Sequence, residues 1–295
     1  MTTEEKIRAG MWGLIAADAM GVPHEFKRSH QIPKQLKMVM PSDYTKTYRD
    51  VPYGTWSDDT SLALALADSL AMRRDIDLND FATRMIKWFE EGEYTPDGKR
   101  FDIGTTTVAA FRKIIKGVSP RESGEKGEHS QSNGSLMRTL PLALWHVGSD
   151  RDLYLDACEV SAVTHAHPIV QAACGVYCVA ARYVLNGDDP KQSFTTAMRK
   201  ANASFTFPPL RGTGFVLDSL GFAIRALESI PTYEQTVIEA VQLGSDTDTT
   251  ACIAGGIVAV RDGLSSIPKD WLDNLHGRQY ADDIIERFIQ SRAGN

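Results

Sequence analysis

Apolar residues recur every three to four positions along most of this chain, and the alternating runs typical of strands are nearly absent. Leu62, Leu66 and Leu70, for example, fall on one face of a helix. Because this spacing lines one helical face and does not suit a pleated strand, it predicts an all-α protein. We expect about a dozen helices in a single compact domain over residues 1–295, since no break in composition and no internal repeat divides the chain.

Several local signals indicate where helices begin and where they are absent. Thr2 and Glu5 have the spacing of a capping box, which predicts that the first helix begins there. Residues 249–258 are rich in small side chains, as expected of a central helix packed closely on its neighbours. Residues 27–56 and 117–134 lack periodicity and are rich in Ser, Gly, Pro, Lys and Tyr. Connections of that length are often functional, so we predict that they form the rim of a site.

The charge balance argues against several classes of partner. The chain has 32 Lys and Arg against 38 Asp and Glu, a formal net charge of −6, and no cluster of basic residues that would attract nucleic acid or anionic membranes. The N-terminal segment lacks the features of a signal peptide, and no uninterrupted apolar run approaches the length that spans a bilayer. The four cysteines are best explained as small core residues of a reducing compartment. We expect a cytoplasmic protein with no nucleic-acid or membrane partner.

Two short acidic motifs carry the strongest chemical signal: residues 57–60, SDDT, and residues 246–250, DTDTT. Each precedes a helical stripe, so each is also explained as an N-terminal cap with structural hydrogen bonds. Together they place four carboxylates before helices predicted to be buried, and buried carboxylates repel one another unless a cation lies between them. Mg²⁺ and Mn²⁺ prefer such oxygen ligands, and no Cys/His spacing supports zinc. A metal site and a pair of helix caps both remain open from the residues alone.

The same two motifs, in this order and far apart in the chain, resemble those of the ADP-ribosylglycohydrolase family, which includes the dinitrogenase-reductase-activating glycohydrolase and the ADP-ribosyl-acceptor hydrolases. Five further segments follow the family's order: residues 13–26, 102–106, 133–138, 164–168 and 255–256. Each segment is weak evidence by itself, whereas the ordered set, over roughly residues 7–260, is specific. The chain departs from the family pattern at Ser57, where Thr is common, and at Ser245, where Gly is often found.

The resemblance implies an orthogonal multi-helix domain that holds two Mg²⁺ or Mn²⁺ ions in a cleft. Carried over by position, the implied metal ligands are Ser57, Asp58, Asp59, Asp246, Asp248 and Thr249. Glu25, Asp102 and Asp58 are the implied catalytic acids, with Glu25 on a loop beside the ions and Asp102 near the ribose. The implied substrate-binding residues are Asp102, Asn133, Gly134, Ser135, Met137 and His165. In this scheme the backbone N–H groups of residues 133–135 take the pyrophosphate.

The function implied by the resemblance is hydrolysis that releases ADP-ribose from a modified protein, with the arginine guanidinium nitrogen as the leading linkage. A serine ether or an O-acyl ester of ADP-ribose is the nearest alternative within the same site. A non-catalytic ADP-ribose-binding relative and a two-metal phosphohydrolase or diphosphate lyase are alternatives of other classes. The expected partner is an ADP-ribosylated protein or an ADP-ribose conjugate, and we expect the chain to act as a monomer.

Three further residues have two explanations each. Asp18 shares a helix face with Met11 and Leu14, so it is either a support for the metal site or a plain residue near a helix end. His165 is either a structural histidine or a residue beside the cleft. Trp56, next to the first acidic motif, is either a core residue or a side chain that stacks on adenine or gates the cleft.

Overall fold

The computed structural model describes residues 1–292, and its regular secondary structure is helical, with no β-strand and only three isolated bridges in that range. The all-α prediction is therefore confirmed; the last three residues of the predicted domain, 293–295, lie outside the described range. The described residues form fourteen α-helices and four short 3₁₀ helices. The α-helices are α1 Thr3–Gly21, α2 Asp58–Arg73, α3 Leu78–Glu91, α4 Thr105–Ile115, α5 Pro120–Ser123, α6 Leu140–Trp145, α7 Asp150–Ala162, α8 Pro168–Asn186, α9 Pro190–Ala201, α10 Val216–Ser229, α11 Tyr233–Gln242, α12 Thr247–Asp262, α13 Lys269–Asp273 and α14 Arg278–Arg292.

The predicted helix start and the long irregular segments agree with the structure, with one exception. Thr2 Oγ1 accepts the N–H of Glu5 at 3.2 Å and Glu5 Oε2 accepts the N–H of Thr2 at 2.7 Å, so the capping box is confirmed. Residues 27–56 contain only one 3₁₀ turn. Residues 117–134 also contain α5, which was not predicted because its single turn is too short to show periodicity.

Helices α1 and α12 form the central pair and make the most extensive helix–helix contact of the described residues. A Cβ atom on Gly13 would lie 2.2 Å from the Cβ of Ala259, and one on Gly255 would lie 2.6 Å from the Cβ of Ala17. Only residues without a side chain permit this approach, so the close packing predicted for residues 249–258 is confirmed. It brings the C-terminal end of α1 next to the beginning of α12.

Over an 18-residue window, helix α8 is long and apolar enough to cross a membrane. Gln171 and Arg182 interrupt its apolar residues, so the predicted absence of an uninterrupted apolar run of that length is not contradicted. In addition, 72% of that window is buried inside the protein, where α8 packs against α7 and α9. This burial is the pattern of a core helix.

The buried apolar side chains form one contiguous core. Trp56 belongs to it: its ring is buried, and Nε1 donates to the carbonyl oxygen of Tyr94 at 3.0 Å. The core explanation is therefore correct for Trp56, and the adenine-stacking explanation is not. The same core holds the starts of α2 and α12 in place around the end of α1.

Candidate metal centre and substrate cavity

Asp18 fixes the beginning of α2 from the neighbouring helix. Its carboxylate accepts the Ser57 N–H at 3.1 Å and the Thr60 N–H at 3.0 Å. The Ser57 hydroxyl lies 2.9 Å from Asp18 Oδ1 and 3.0 Å from Asp59 Oδ2, and it accepts the Asp59 N–H at 3.2 Å. Ser57 is thus the N-cap of α2, as one explanation held, but the cap also aligns two buried carboxylates side by side.

The second acidic motif is not a simple cap. Asp246 stands at the N-cap position of α12, yet its carboxylate makes no capping hydrogen bond and instead accepts from Asn133 Nδ2 at 2.8 Å. Asp248 Oδ1 accepts the N–H of Thr249 at 2.9 Å, and Thr249 Oγ1 donates to Asp59 Oδ2 at 3.3 Å. The two motifs therefore meet, and the capping explanation is wrong for Asp246.

Two groups of three carboxylates lie close enough to share a cation. Oxygens of Asp18, Asp59 and Asp248 all lie within 4.8 Å of one another, and so do oxygens of Glu25, Asp246 and Asp248. Asp248 belongs to both groups.

Two buried oxygens of this cluster, Asp59 Oδ1 and Asp248 Oδ2, have no hydrogen-bond partner among the described residues. A buried carboxylate oxygen without a partner costs free energy that a bound cation offsets. The residues present therefore fit a hard divalent cation, whose preferred ligands are carboxylate oxygens.

The pKa values of the acids in this cluster also indicate a site for a cation. Burial raises the pKa of Asp59 well above its usual range, and the charge of Asp18 adds to the effect. Burial and then the charge of Glu25 raise the pKa of Asp248 in the same way. The pKa of Asp18 rises to about 6 because burial outweighs its hydrogen bonds. Burial and mutual repulsion therefore disfavour the ionised forms of these acids unless a cation offsets their charge.

A cavity of about 210 Å³ opens beside the cluster. Most of the predicted site residues line it, namely Glu25, Asp58, Asp102, Asn133, Gly134, Met137, Asp246 and Thr249. Asp58 is buried and lines the cavity without belonging to either three-carboxylate group. The remaining lining residues were not predicted as site residues: Phe26, Gly104, Thr107, Ser132, Gly214 and Ser245.

Glu25 and Asp102 both face this cavity. Tyr48 donates its hydroxyl proton to Glu25 Oε2 at 2.6 Å, a contact the sequence analysis missed. Burial and then the charge of Asp102 raise the pKa of Glu25 to about 9. Burial and then the charge of Asp246 raise the pKa of Asp102 to about 6, and its backbone is left-handed, with a φ of 54°. Carboxyl groups with such pKa values can give or take a proton near neutral pH.

The Glu25 loop is tied to the second acidic motif by two backbone hydrogen bonds. The N–H of Phe26 donates to the carbonyl oxygen of Ser245 at 2.6 Å, and the N–H of Ser245 donates to the carbonyl oxygen of Lys27 at 2.7 Å. Phe26 and Ser245 are both left-handed, with φ values of 61° and 63°. The glycine that the family often places at position 245 suits this conformation.

The segment before α6, residues 132–138, is held in place by hydrogen bonds with buried side chains. His165 Nε2 lies 2.8 Å from Ser132 Oγ, Nδ1 lies 2.7 Å from Thr164 Oγ1, and burial lowers the pKa of His165 to about 3. A Cβ atom on Gly134 would lie 3.1 Å from the His165 ring. Arg138, fully buried, donates to the Gly134 carbonyl at 3.0 Å and to Thr164 Oγ1 at 2.7 Å. His165 is thus a structural histidine, and its side chain does not line the cavity.

One further expectation for this segment needs correction. The Ser135 hydroxyl is fully buried, 2.8 Å from Ser161 Oγ, so substrate binding through the Ser135 backbone N–H stays a prediction. The Asn133 N–H donates to the Gly214 carbonyl at 3.0 Å, so it is not free to take a pyrophosphate. The Asn133 side chain instead donates to Asp246 and, at 2.8 Å, to Ser219 Oγ, which orients that acid.

Comparison with known proteins shows which family the chain resembles along its length. The sequence model of the ADP-ribosylglycohydrolase family matches residues 1–295. The chain is 27% identical over 297 residues to the ADP-ribosylarginine hydrolase Tri1 of Serratia proteamaculans, covering 97% of this chain and 79% of that protein. It is 27% identical over 293 residues to the ADP-ribosyl-[dinitrogen reductase] glycohydrolase of Rhodospirillum rubrum, covering 94% and 90%. A solved structure titled ADP-ribosylglycohydrolase-related protein complex superposes with a TM-score of 0.80 and 26% identity, covering 98% and 99%.

Proposed function

Because this chain belongs to the ADP-ribosylglycohydrolase family, we propose that it is a metal-dependent hydrolase that removes ADP-ribose from arginine side chains of modified proteins. The observation that carries the proposal is the buried acidic cluster, with its two partnerless oxygens, beside a cavity lined by further acids. Two relatives named ADP-ribosylarginine hydrolase, each aligned over 97% of this chain, support arginine as the linkage.

The cofactor we propose is a pair of Mg²⁺ or Mn²⁺ ions. Two three-carboxylate groups that share Asp248 support the number, and a donor set made only of oxygens supports the identity. Asp18, Asp59 and Asp248 would hold one ion, and Glu25, Asp246 and Asp248 the other. When bound, such ions supply Lewis-acid charge that polarises oxygen ligands and offsets the charge of the acids.

The other predicted ligands would complete this centre. Ser57 and Thr249 already touch the Asp59 carboxylate, and Asp58 faces the cavity from the same motif. Asp18 was expected at most to support the metal site, and we now propose it as a ligand. The sequence feature that indicates this role is the acid Asp18 on an otherwise apolar face of α1.

The chain's own residues account for binding and proton transfer. Asp102 lies outside both three-carboxylate groups, and its raised pKa of about 6 suits a group that protonates the leaving nitrogen near neutral pH. Glu25 and Asp58 place acidic oxygens beside the positive charge that develops on the ribose. Tyr48 orients Glu25, and Asn133 orients Asp246, so both acids are fixed before substrate arrives.

The proposal is tested by incubating the protein with arginine-linked, serine-linked and O-acetyl ADP-ribose in the presence of Mg²⁺ or Mn²⁺. We expect release of ADP-ribose from the arginine conjugate. Release from the serine ether or the acyl ester alone would overturn arginine as the linkage. No release from any conjugate would overturn the enzymatic proposal.

We also propose that the chain acts on an ADP-ribosylated protein and that it does so as a monomer in the cytoplasm. Four cysteines that form no disulfide in the described residues support a reducing compartment.

A further inference from the structure

Phe26 is a large apolar side chain displayed at the mouth of the cavity. It is 69% exposed, the highest value among the large apolar residues of the described chain, and it lines the cavity beside Glu25. Its backbone adopts a φ of 61°, which is uncommon for an aromatic residue and costs free energy. The hydrogen bond from its N–H to Ser245 holds this conformation. The Phe26 ring therefore stays at the cavity although it gains little from burial and its backbone conformation is unfavourable.

Two further rings continue from Phe26 and form, with it, an aromatic rim. The ring centroids of Phe26 and Tyr48 lie 6.4 Å apart, and those of Tyr48 and Phe101 lie 4.9 Å apart. Each member adjoins an acid of the cavity, because Phe26 follows Glu25, Tyr48 donates to Glu25, and Phe101 precedes Asp102. The aromatic rim therefore places electron-rich ring faces beside the carboxyl groups of Glu25 and Asp102.

The face of Phe26 is available to an incoming cation. Lys27, its neighbour in sequence, has its ammonium 4.8 Å from the ring centroid of Tyr44 instead. No Lys or Arg of the described residues lies over the Phe26 ring. A planar, delocalised cation such as a guanidinium combines stacking on an aromatic face with attraction to nearby carboxylates.

We infer that Phe26 is a specificity-determining residue whose ring receives the guanidinium of the ADP-ribosylated arginine. This inference rests on the proposed function and adds the acceptor side of the site to it. A serine ether or an acyl ester carries no cation and gains nothing from this contact. The ring therefore favours arginine conjugates over neutral ones, while the nucleotide part of the substrate binds independently of it.

The test compares Phe26→Leu, which removes the ring but keeps an apolar side chain, with Phe26→Tyr, which retains an aromatic face. For each we would measure KM and kcat on ADP-ribosyl-arginine and the inhibition constant of free ADP-ribose. Phe26→Leu should raise KM about 3- to 30-fold, with kcat and the ADP-ribose constant close to wild type. Phe26→Tyr should leave KM at the wild-type value. Met72→Ala, at a residue that is 62% exposed and outside the cavity lining, is the matched control.

The outcomes separate this inference from the proposed function. An active wild-type enzyme whose KM is unchanged by Phe26→Leu would overturn the role of the ring alone. An equal loss of ADP-ribose affinity would also overturn it, because the ring would then contact the nucleotide and not the acceptor. A folded wild-type enzyme that releases nothing from arginine conjugates would overturn the proposed function and this inference with it.

Discussion

A Cβ atom on Gly21 would lie 2.3 Å from the Cα atom of Asp248, so the end of α1 and the beginning of α12 touch backbone to backbone. Thr247 Oγ1 adds a hydrogen bond to the Gly21 carbonyl at 2.9 Å across the same contact. This contact sets Asp248 beside Asp18, and Asp18 in turn holds the beginning of α2. The acidic cluster therefore depends on a glycine that carries no chemistry of its own.

Gly21→Ala should separate these two helix ends and disperse the cluster. We expect the free energy of unfolding to fall by about 1–3 kcal/mol, as for other overpacked sites, and the affinity for Mn²⁺ to fall as well. Thermal denaturation and calorimetric titration with Mn²⁺ measure the two effects. Gly127→Ala is the control, since a Cβ atom there has no neighbour nearer than 4.0 Å. Wild-type Mn²⁺ affinity in a folded Gly21→Ala protein would contradict this account.

Removal of metal should destabilise the protein more as the pH rises. The folded, metal-free chain holds Asp18 and Asp102 at a pKa of about 6 and Glu25 at about 9, above their ordinary values of 3.8 and 4.5. Their contribution to stability is fully present below about pH 4 and is lost as pH rises through 6 towards 9, because the unfolded chain releases these protons first. The gap in Tm between Mg²⁺-loaded and chelated protein should widen from about pH 4 to pH 9. A constant gap would rule this explanation out.

His165 should affect stability without taking part in proton transfer. Burial holds its pKa at about 3, so the ring is neutral throughout pH 5–9. His165→Ala should lower the free energy of unfolding by about 1–3 kcal/mol, because it removes the ring's hydrogen bonds to the Thr164 and Ser132 hydroxyls and opens space behind Gly134. The pH–rate profile should keep its shape. Loss of one limb of that profile in the variant would show instead that His165 titrates during turnover.

Ser245→Gly should stabilise the protein by about 0.5–1 kcal/mol, because a serine with a φ of 63° is strained and glycine is not. The two hydrogen bonds at this position come from the backbone and survive the change. Ser130→Gly is the control: its backbone is not left-handed, so glycine there should only add flexibility to the unfolded chain and lower stability. Urea denaturation of both variants measures the difference. Equal effects of the two substitutions would count against strain at Ser245.

Much of the fold and the acidic core of the site could be predicted because the signals are local. Helix faces and the capping box at Thr2 follow from spacing alone, and Ser57 caps α2 as its position in the motif indicates. The burial of Asp59 and Asp248 follows from the apolar character of the helices they begin.

The features of the site that could not be predicted depend on contacts between segments far apart in the chain. Asp18 enters the cluster only because α1 and α12 pack without intervening side chains, which spacing within α1 does not indicate. Phe26 is exposed because its left-handed backbone is bonded to Ser245, whereas composition would place a phenylalanine in the core. Ser135 and His165 belong to a matching motif, but the 3₁₀ turn at Leu136–Arg138 and the buried Arg138 set which side chains reach the cavity.

The most direct test of the central claim is the release of ADP-ribose from ADP-ribosyl-arginine by chelated protein as Mg²⁺ or Mn²⁺ is added back, for the wild type and for Asp248→Asn. We expect no release without metal, recovery with metal in the wild type, and no recovery in the folded variant, since Asp248 belongs to both carboxylate groups. Hydrolysis by the chelated protein at the metal-loaded rate, or wild-type recovery in Asp248→Asn, would contradict this claim.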